Sequence, residues 1–316
     1  MLRYRLIFGP ILILALLAIF WLDSALDRVA LPGWIVDAFD LADPYMPAGV
    51  PLFALFMLLV IGAGWELTRI FRANNVIAST VITCFAAEVG LIMPFLVPGT
   101  FDVATAIAAV ATAFVLMFIA SLLWYSHDQN VEGVVAAAGG TMFAMLYLGV
   151  MPHFFLAMRQ FNGPWLLLAI VLITKSCDIG AYFTGRAIGR HKLIPWLSPG
   201  KTWEGLFGGL VFAGLIALLL AMLGNSVGVV EPQPGRTYDY RFNLGFAFVM
   251  GMVFGLFGQA GDLLASLLKR DAGIKDSSRL LPGFGGVLDV LDSPILVAPL
   301  AYWVLRVTAG AGPAGF

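Results

Sequence analysis

The chain is predicted to be an all-α protein, a polytopic transmembrane helical bundle of about nine spans. Three observations carry that expectation. Of its 316 residues, 60% are hydrophobic and only 12% are charged, with a mean hydropathy of +0.93. The apolar residues form continuous runs rather than alternating, which disfavours a β-barrel. At about 20 residues per span, roughly 190 apolar residues suffice for eight or nine spans. No soluble fold of this length has an interior large enough to hide that much apolar surface.

Composition also excludes several classes of function. A net charge of −1 leaves no basic excess for binding nucleic acid. Cys84 and Cys177 both fall in apolar runs, where they read as small buried hydrophobes. His127, His153 and His191 lie far apart and make no zinc pattern with them. A disulfide scaffold and a disordered tail protein are ruled out as well.

The candidate spans are 6–22, 49–67, 76–97, 101–125, 133–155, 164–186, 204–224, 243–268 and 286–308. The first follows Arg3 and Arg5, as the core of a signal peptide would. Its apolar core, Leu6 to Leu22, is long for that, and Asp23 and Asp27 follow closely, so a retained helix is expected. With the N-terminus in the cytoplasm, most Lys and Arg fall inside, including Arg69, Arg72, Arg190, Lys192, Lys201, Lys269, Arg270 and Lys275. Arg28, Arg159, Arg236, Arg241 and Arg306 fall outside, as do the acidic stretch 23–48 and a loop over 225–242. The odd number of spans places the C-terminus outside. Residues 1–160 form an N-terminal transmembrane region of unassigned role, in which Glu66 and Glu88 are the main acids within spans. Residues 161–316 carry nearly all the polar clusters, at helix ends on the expected cytoplasmic side.

The first cluster is Lys175-Ser176-Cys177-Asp178, near the end of the sixth span. Ionisable residues inside a span are costly and point to function. Lys175 and Asp178 stand at i and i+3, so a purely structural ion pair is the competing explanation. The second cluster runs through Arg190-His191-Lys192 to Ser198-Pro199-Gly200-Lys201-Thr202. It is not a Walker A loop, since Pro195 stands where that motif needs glycine and no buried strand precedes it. Its ingredients still suit phosphate. Lys201 is a point charge, Ser198 and Thr202 offer hydroxyls, and a helix N-terminus follows. A plain positive-inside anchor loop is the alternative.

In the third cluster, Asp262, Ser266 and Arg270 recur at steps of four with Lys269 beside them, so one helix face carries an acid, a hydroxyl and two cations. Snorkelling accounts for Lys269 and Arg270 but not for Asp262. The fourth contains Lys275-Asp276, a glycine-rich loop, and Asp289 and Asp292 at the start of the last apolar helix. Helix capping alone could explain those two acids. Together with Asp262, however, they offer the carboxylates that a hard cation takes alongside substrate phosphates. Cations for phosphate and acids for metal suggest metal-assisted phosphoryl or nucleotidyl transfer.

These residues also carry a resemblance. Ser266-Leu-Leu-Lys269-Arg270, then Lys275-Asp276, Pro282-Gly283-Phe284-Gly285-Gly286 and Asp289 to Asp292 resemble the signature of phosphatidate cytidylyltransferases, or CDP-diacylglycerol synthases. Asp178 to Tyr182 and Ser198 to Gly205 resemble a second region of that family. The likeness covers about 175–295, and the N-terminal half matches only in hydropathy. It implies a wholly helical membrane fold with its active site open to the cytoplasm, in a bacterial-type inner membrane. It implies conversion of CTP and phosphatidic acid to CDP-diacylglycerol and pyrophosphate, with Mg2+ and a second, monovalent cation (K+). By motif position, Asp262, Asp289 and Asp292 would surround the metal. Ser266, Lys269 and Arg270 would face substrate phosphates, and Asp178, Ser198, Lys201, Thr202, Lys275 and Asp276 would serve substrate binding.

Three positions depart from the family pattern. Phe284 replaces histidine, Val290 replaces arginine, and Gly200 replaces a common lysine. Arg279 is a candidate for the missing charge. The alternatives are another CTP-dependent membrane lipid kinase, a non-enzymatic transporter using the intramembrane charges, or a paralogue that has lost activity. A homodimer is compatible with the sequence.

Overall fold

A computed structural model describes residues 2–39, 44–97, 100–127, 131–278, 280 and 285–310. The helices are α1 (Leu2–Leu26), α2 (Gly33–Phe39), α3 (Val50–Ala73), α4 (Thr80–Leu96), α5 (Val103–Tyr125), α6 (Val134–Ala144), α7 (Met151–Arg159), α8 (Pro164–Ile188), α9 (Trp203–Val227), α10 (Leu244–Asp271) and α11 (Val287–Gly310). A π-helical segment, Met145–Val150, joins α6 to α7 in one continuous helix. Every predicted run coincides with a helix. Among the described residues, eight are long and apolar enough to cross a membrane, and the run at 76–97 forms the shorter α4. The protein is an all-α polytopic membrane bundle. Its large outward-facing side chains, such as Leu58, Val103, Ile107 and Leu123, are apolar because their solvent is lipid.

The expectation of a wholly helical chain needs one correction. Two small antiparallel hairpins are present, β1 (Lys192–Ile194) with β2 (Ser198–Thr202), and β3 (Val229–Gln233) with β4 (Arg236–Asp239). Both occupy polar segments between spans, where Pro195, Pro199 and Pro234 disfavour helix. The β3–β4 turn uses Gly235 at φ +81°, a conformation that costs glycine little. The first hairpin also supplies a strand before Lys201-Thr202, which the sequence did not reveal.

The chain divides into two compact units, each drawing on both halves of the sequence. One comprises 1–55, 155–260 and 299–316. Its centre is the α8–α9 contact, where glycines replace side chains. A Cβ on Gly209 would lie 2.6 Å from the Cys177 carbonyl, and one on Gly205 would lie 2.9 Å from that of Ala181. Such close approach is how membrane helices gain packing without a hydrophobic drive. An apolar cavity of about 400 Å³ between α8, α9 and α10 contains none of the polar clusters.

Arg159, counted with the outside charges in the sequence, is fully buried in this unit. Its Nε donates to Asp23 at 2.5 Å, its Nη2 to Asp27 at 2.6 Å, and its Nη1 to the Tyr238 hydroxyl at 2.8 Å. Tyr238 in turn donates to Asp27 at 3.1 Å. Burial pushes the Tyr238 phenol up, with Arg159 pulling the other way. Two carboxylates near the end of α1 thus compensate a guanidinium that would otherwise be intolerable inside.

The second unit comprises 56–154 and 261–298. Here α4 packs on the π-helical segment at a pair of glycines. A Cβ on Gly90 would strike the Met145 carbonyl, and one on Gly149 would strike the Ala87 carbonyl. Backbone-to-backbone contact fixes the position of the π turn against α4.

Candidate functional site

In the second unit, the end of α10 meets the start of α11. Gly261 makes this possible, because a Cβ there would strike the Asp292 carbonyl oxygen. Asp262 is the next residue along α10. The Asp292 carboxylate accepts from the Ser293 N–H at 2.6 Å and its hydroxyl at 3.0 Å. Asp292 is buried and Asp262 half-buried.

Asp289 is held from several sides. Lys269, 8% exposed, donates to it at 2.6 Å. The Ser277 N–H and the Gly286 N–H donate to it at 3.1 and 2.8 Å, and the Ser277 hydroxyl oxygen lies 2.9 Å away. Gly285 adopts φ +96°, and a Cβ there would lie 2.6 Å from the Asp289 carboxylate. Sequence pattern placed Lys269 on the substrate and Asp289 on the metal. The fold pairs them with each other.

Ser277, Ser278 and the first turn of α11 are fastened by an acid that no motif singles out. Glu66, on α3, is fully buried. It accepts from the Ser277 hydroxyl at 2.8 Å, the Ser278 hydroxyl at 2.5 Å, and the N–H groups of Val287 and Leu288 at 2.8 Å each. The last two belong to the first turn of α11, whose N–H groups lack partners within the helix. A carboxylate is also favoured there by the helix dipole. The signal available beforehand was an acid inside a span of the N-terminal half.

The remaining signature residues are more open. Ser266 is half-buried, whereas Arg270, Lys275 and Asp276 are exposed. Arg270 donates to the Ile274 carbonyl at 3.3 Å. Val290 exposes an apolar surface on α11. Phe284, Arg279 and the Pro282-Gly283 pair lie outside the described residues.

The other cluster belongs to the first unit. Lys201, at the end of β2, donates to Gln259 Oε1 at 2.7 Å, and Gln259 Nε2 donates to Asp178 at 2.5 Å. Gln259, buried on α10, was not singled out from the sequence. It joins Lys201 to Asp178, which the spacing had matched with Lys175. Thr202 is the N-cap of α9, its hydroxyl accepting from the Gly205 N–H at 3.1 Å. Ser198 is half-buried on β2. Glu204 fastens the preceding segment, accepting from the N–H groups of Arg190 and His191 and pairing with the His191 ring.

Among the described residues, no three His, Cys, Asp or Glu side chains stand close enough to hold one metal ion. Asp262 and Asp292 offer carboxylates of the kind that magnesium takes together with substrate phosphates. The residues therefore fit a divalent cation shared with substrate, not one held by protein alone.

The chain is similar to known cytidylyltransferases. A family model described as the cytidylyltransferase family matches residues 27–308. A Bacillus subtilis phosphatidate cytidylyltransferase is 35% identical over 218 residues, covering 68% of this chain and 76% of that protein. A Staphylococcus aureus phosphatidate cytidylyltransferase is 40% identical over 161 residues, 50% of this chain and 55% of that protein. The uncharacterized protein YnbB of Escherichia coli is 37% identical over 145 residues, 46% of this chain and 44% of that protein. The chain thus spans about half the length of the last two relatives and three quarters of the first.

Proposed function

Since the chain belongs to the cytidylyltransferase family, we propose that it is a phosphatidate cytidylyltransferase, a nucleotidyltransferase of phospholipid biosynthesis. It joins CTP to phosphatidic acid and releases pyrophosphate, giving CDP-diacylglycerol. The observation that carries this reading is the meeting of α10 and α11 at Gly261, where a Cβ would strike the Asp292 carbonyl, with Asp262 next along α10 and Lys269 paired to Asp289. The membrane location suits the substrates, because diacylglycerol chains stay in lipid while CTP arrives from water.

Each side chain has a defined task in this scheme. Lys201, with Ser198 and Thr202 on the same strand, binds nucleotide phosphates, and Gln259 holds the Lys201 ammonium in place. Lys269 and Arg270 neutralise phosphate charge from the end of α10, beside Ser266. Asp289 orients Lys269 from the start of α11. Asp262 and Asp292 would hold Mg2+ with the substrate phosphates, where it would offset charge on the triphosphate. The K+ implied by the resemblance remains part of the proposal, and activity titrated with and without K+ tests it. The nucleophile is an oxygen of the lipid phosphate monoester, whose second pKa of about 6 leaves it largely ionised at neutral pH. No general base is therefore needed, and positioning with electrostatic stabilisation carries the catalysis. The site faces the cytoplasm of a bacterial inner membrane, in keeping with the Lys and Arg bias.

Purified protein in phosphatidate-containing micelles, given CTP labelled at the α-phosphate, is expected to form labelled lipid and pyrophosphate. Release of CDP would instead identify a lipid kinase. Absence of labelled lipid, together with ion flux in liposomes, would sink the enzyme reading in favour of a transporter.

A further inference from the structure

Among the described residues of the second unit, Thr83, Glu88 and Tyr147 carry buried side-chain oxygens without a hydrogen-bond partner, and the scheme above uses none of them. Tyr147 lies on the π-helical segment Met145–Val150, in the N-terminal half of the chain. It is 5% exposed, and its ring packs on Phe143 with centroids 5.2 Å apart. Among the described residues its hydroxyl has no hydrogen-bond partner. A buried phenol without a partner is costly, and such groups in native proteins call for an explanation. Both Asp262 and Asp292 lie within electrostatic reach of that hydroxyl. Asp262 follows Gly261 on α10, and Asp292 supplies the carbonyl against which Gly261 packs.

The backbone around Tyr147 is also special. π-Helical turns are rare and occur mostly at functional sites, because the extra residue per turn redirects side chains. Here the turn is pinned by the Gly90 and Gly149 contacts with α4, so the direction of Tyr147 is set by backbone packing.

We infer that Tyr147 is a positioning residue for the Asp262–Asp292 pair, its hydroxyl donating to a carboxylate oxygen of that pair when a divalent cation is bound. This rests on the cation reading given above. The donor would take one carboxylate lone pair and leave the others aimed at the ion, as outer hydrogen bonds do for metal ligands. The N-terminal half thereby contributes directly to the cation site.

The test uses the full-length protein in micelles and Mn2+ as the probe, with free Mn2+ read by electron paramagnetic resonance in the absence of CTP. The parent is expected to bind Mn2+, and Tyr147→Phe to bind it about 10- to 100-fold more weakly. The same variant should melt no lower than the parent without cation, because the hydroxyl it removes was unsatisfied. In an Asp262→Asn background, Tyr147→Phe should cost little further affinity, since the two act as one unit. Equal Mn2+ affinity in Tyr147→Phe and parent would overturn the inference while leaving the cation site intact. Full additivity with Asp262→Asn would also overturn it. A parent that binds no Mn2+ would remove the cation reading itself, and the role of Tyr147 with it.

Discussion

Glu66 and Ser277 are 211 residues apart in the chain and joined by a 2.8 Å hydrogen bond. Three further donors converge on the same carboxylate, so an acid from α3 holds the loop and first turn that carry Asp289. Glu66→Gln keeps the size but turns one acceptor oxygen into a donor facing other donors. It should cost about 2–3 kcal/mol of stability, the range for a buried group left unsatisfied. Cytidylyl transfer should fall at least tenfold even in the protein that folds. Thermal melting and CTP incorporation into lipid measure the two effects.

Gly261→Ala places a methyl group against the Asp292 carbonyl and must push α10 and α11 apart. The expected result is a folded protein with a raised Mg2+ requirement and roughly tenfold lower activity, as small misplacements of catalytic groups produce. Gly200→Ala is the control, since a Cβ there meets nothing within 4 Å. An unchanged Mg2+ titration in Gly261→Ala would argue against a site between Asp262 and Asp292.

Lys269 and Asp289 form a nearly buried pair at 2.6 Å. Lys269→Met and Asp289→Asn should each reduce activity sharply. The double variant should be much less impaired than the sum of the two, with a coupling of about 1–3 kcal/mol. Simple additivity in the turnover rates would show that each residue acts on substrate alone.

Arg159 tests structure rather than chemistry. Its removal leaves Asp23 and Asp27 buried and uncompensated, so Arg159→Met should lose about 3–5 kcal/mol. The surviving folded fraction should keep the KM of the parent for CTP. A large KM change without loss of stability would contradict the purely structural assignment.

Much of the fold was legible because a membrane constrains sequence so strongly. Every backbone group in lipid must be paired, so apolar runs become helices, and all nine runs did so. The hairpins escaped notice because three to five polar residues between spans carry no such constraint. The candidate site was legible in its residue types: Asp262, Asp289, Asp292 and Lys269 lie in charged clusters on α10 and α11, and Lys201 lies on β2 just before α9. Their pairing was not. Asp178 accepts from Gln259 on another helix, a partner that no spacing along α8 indicates. Lys269 and Asp289, each given a substrate or metal role, bind one another.

The sequence by itself therefore determined the class of protein, the helix inventory and the region that holds the chemistry, because hydropathy and local motif are properties of a continuous stretch of chain. Only the tertiary structure brought Glu66, Gln259 and Tyr147 into the account. Glu66 and Gln259 are lone polar residues whose meaning depends on partners 58 to more than 200 residues away, and the Tyr147 hydroxyl is buried without a partner among the described residues. Inside a lipid-embedded bundle, with no water to satisfy it, such a residue must find that partner across space.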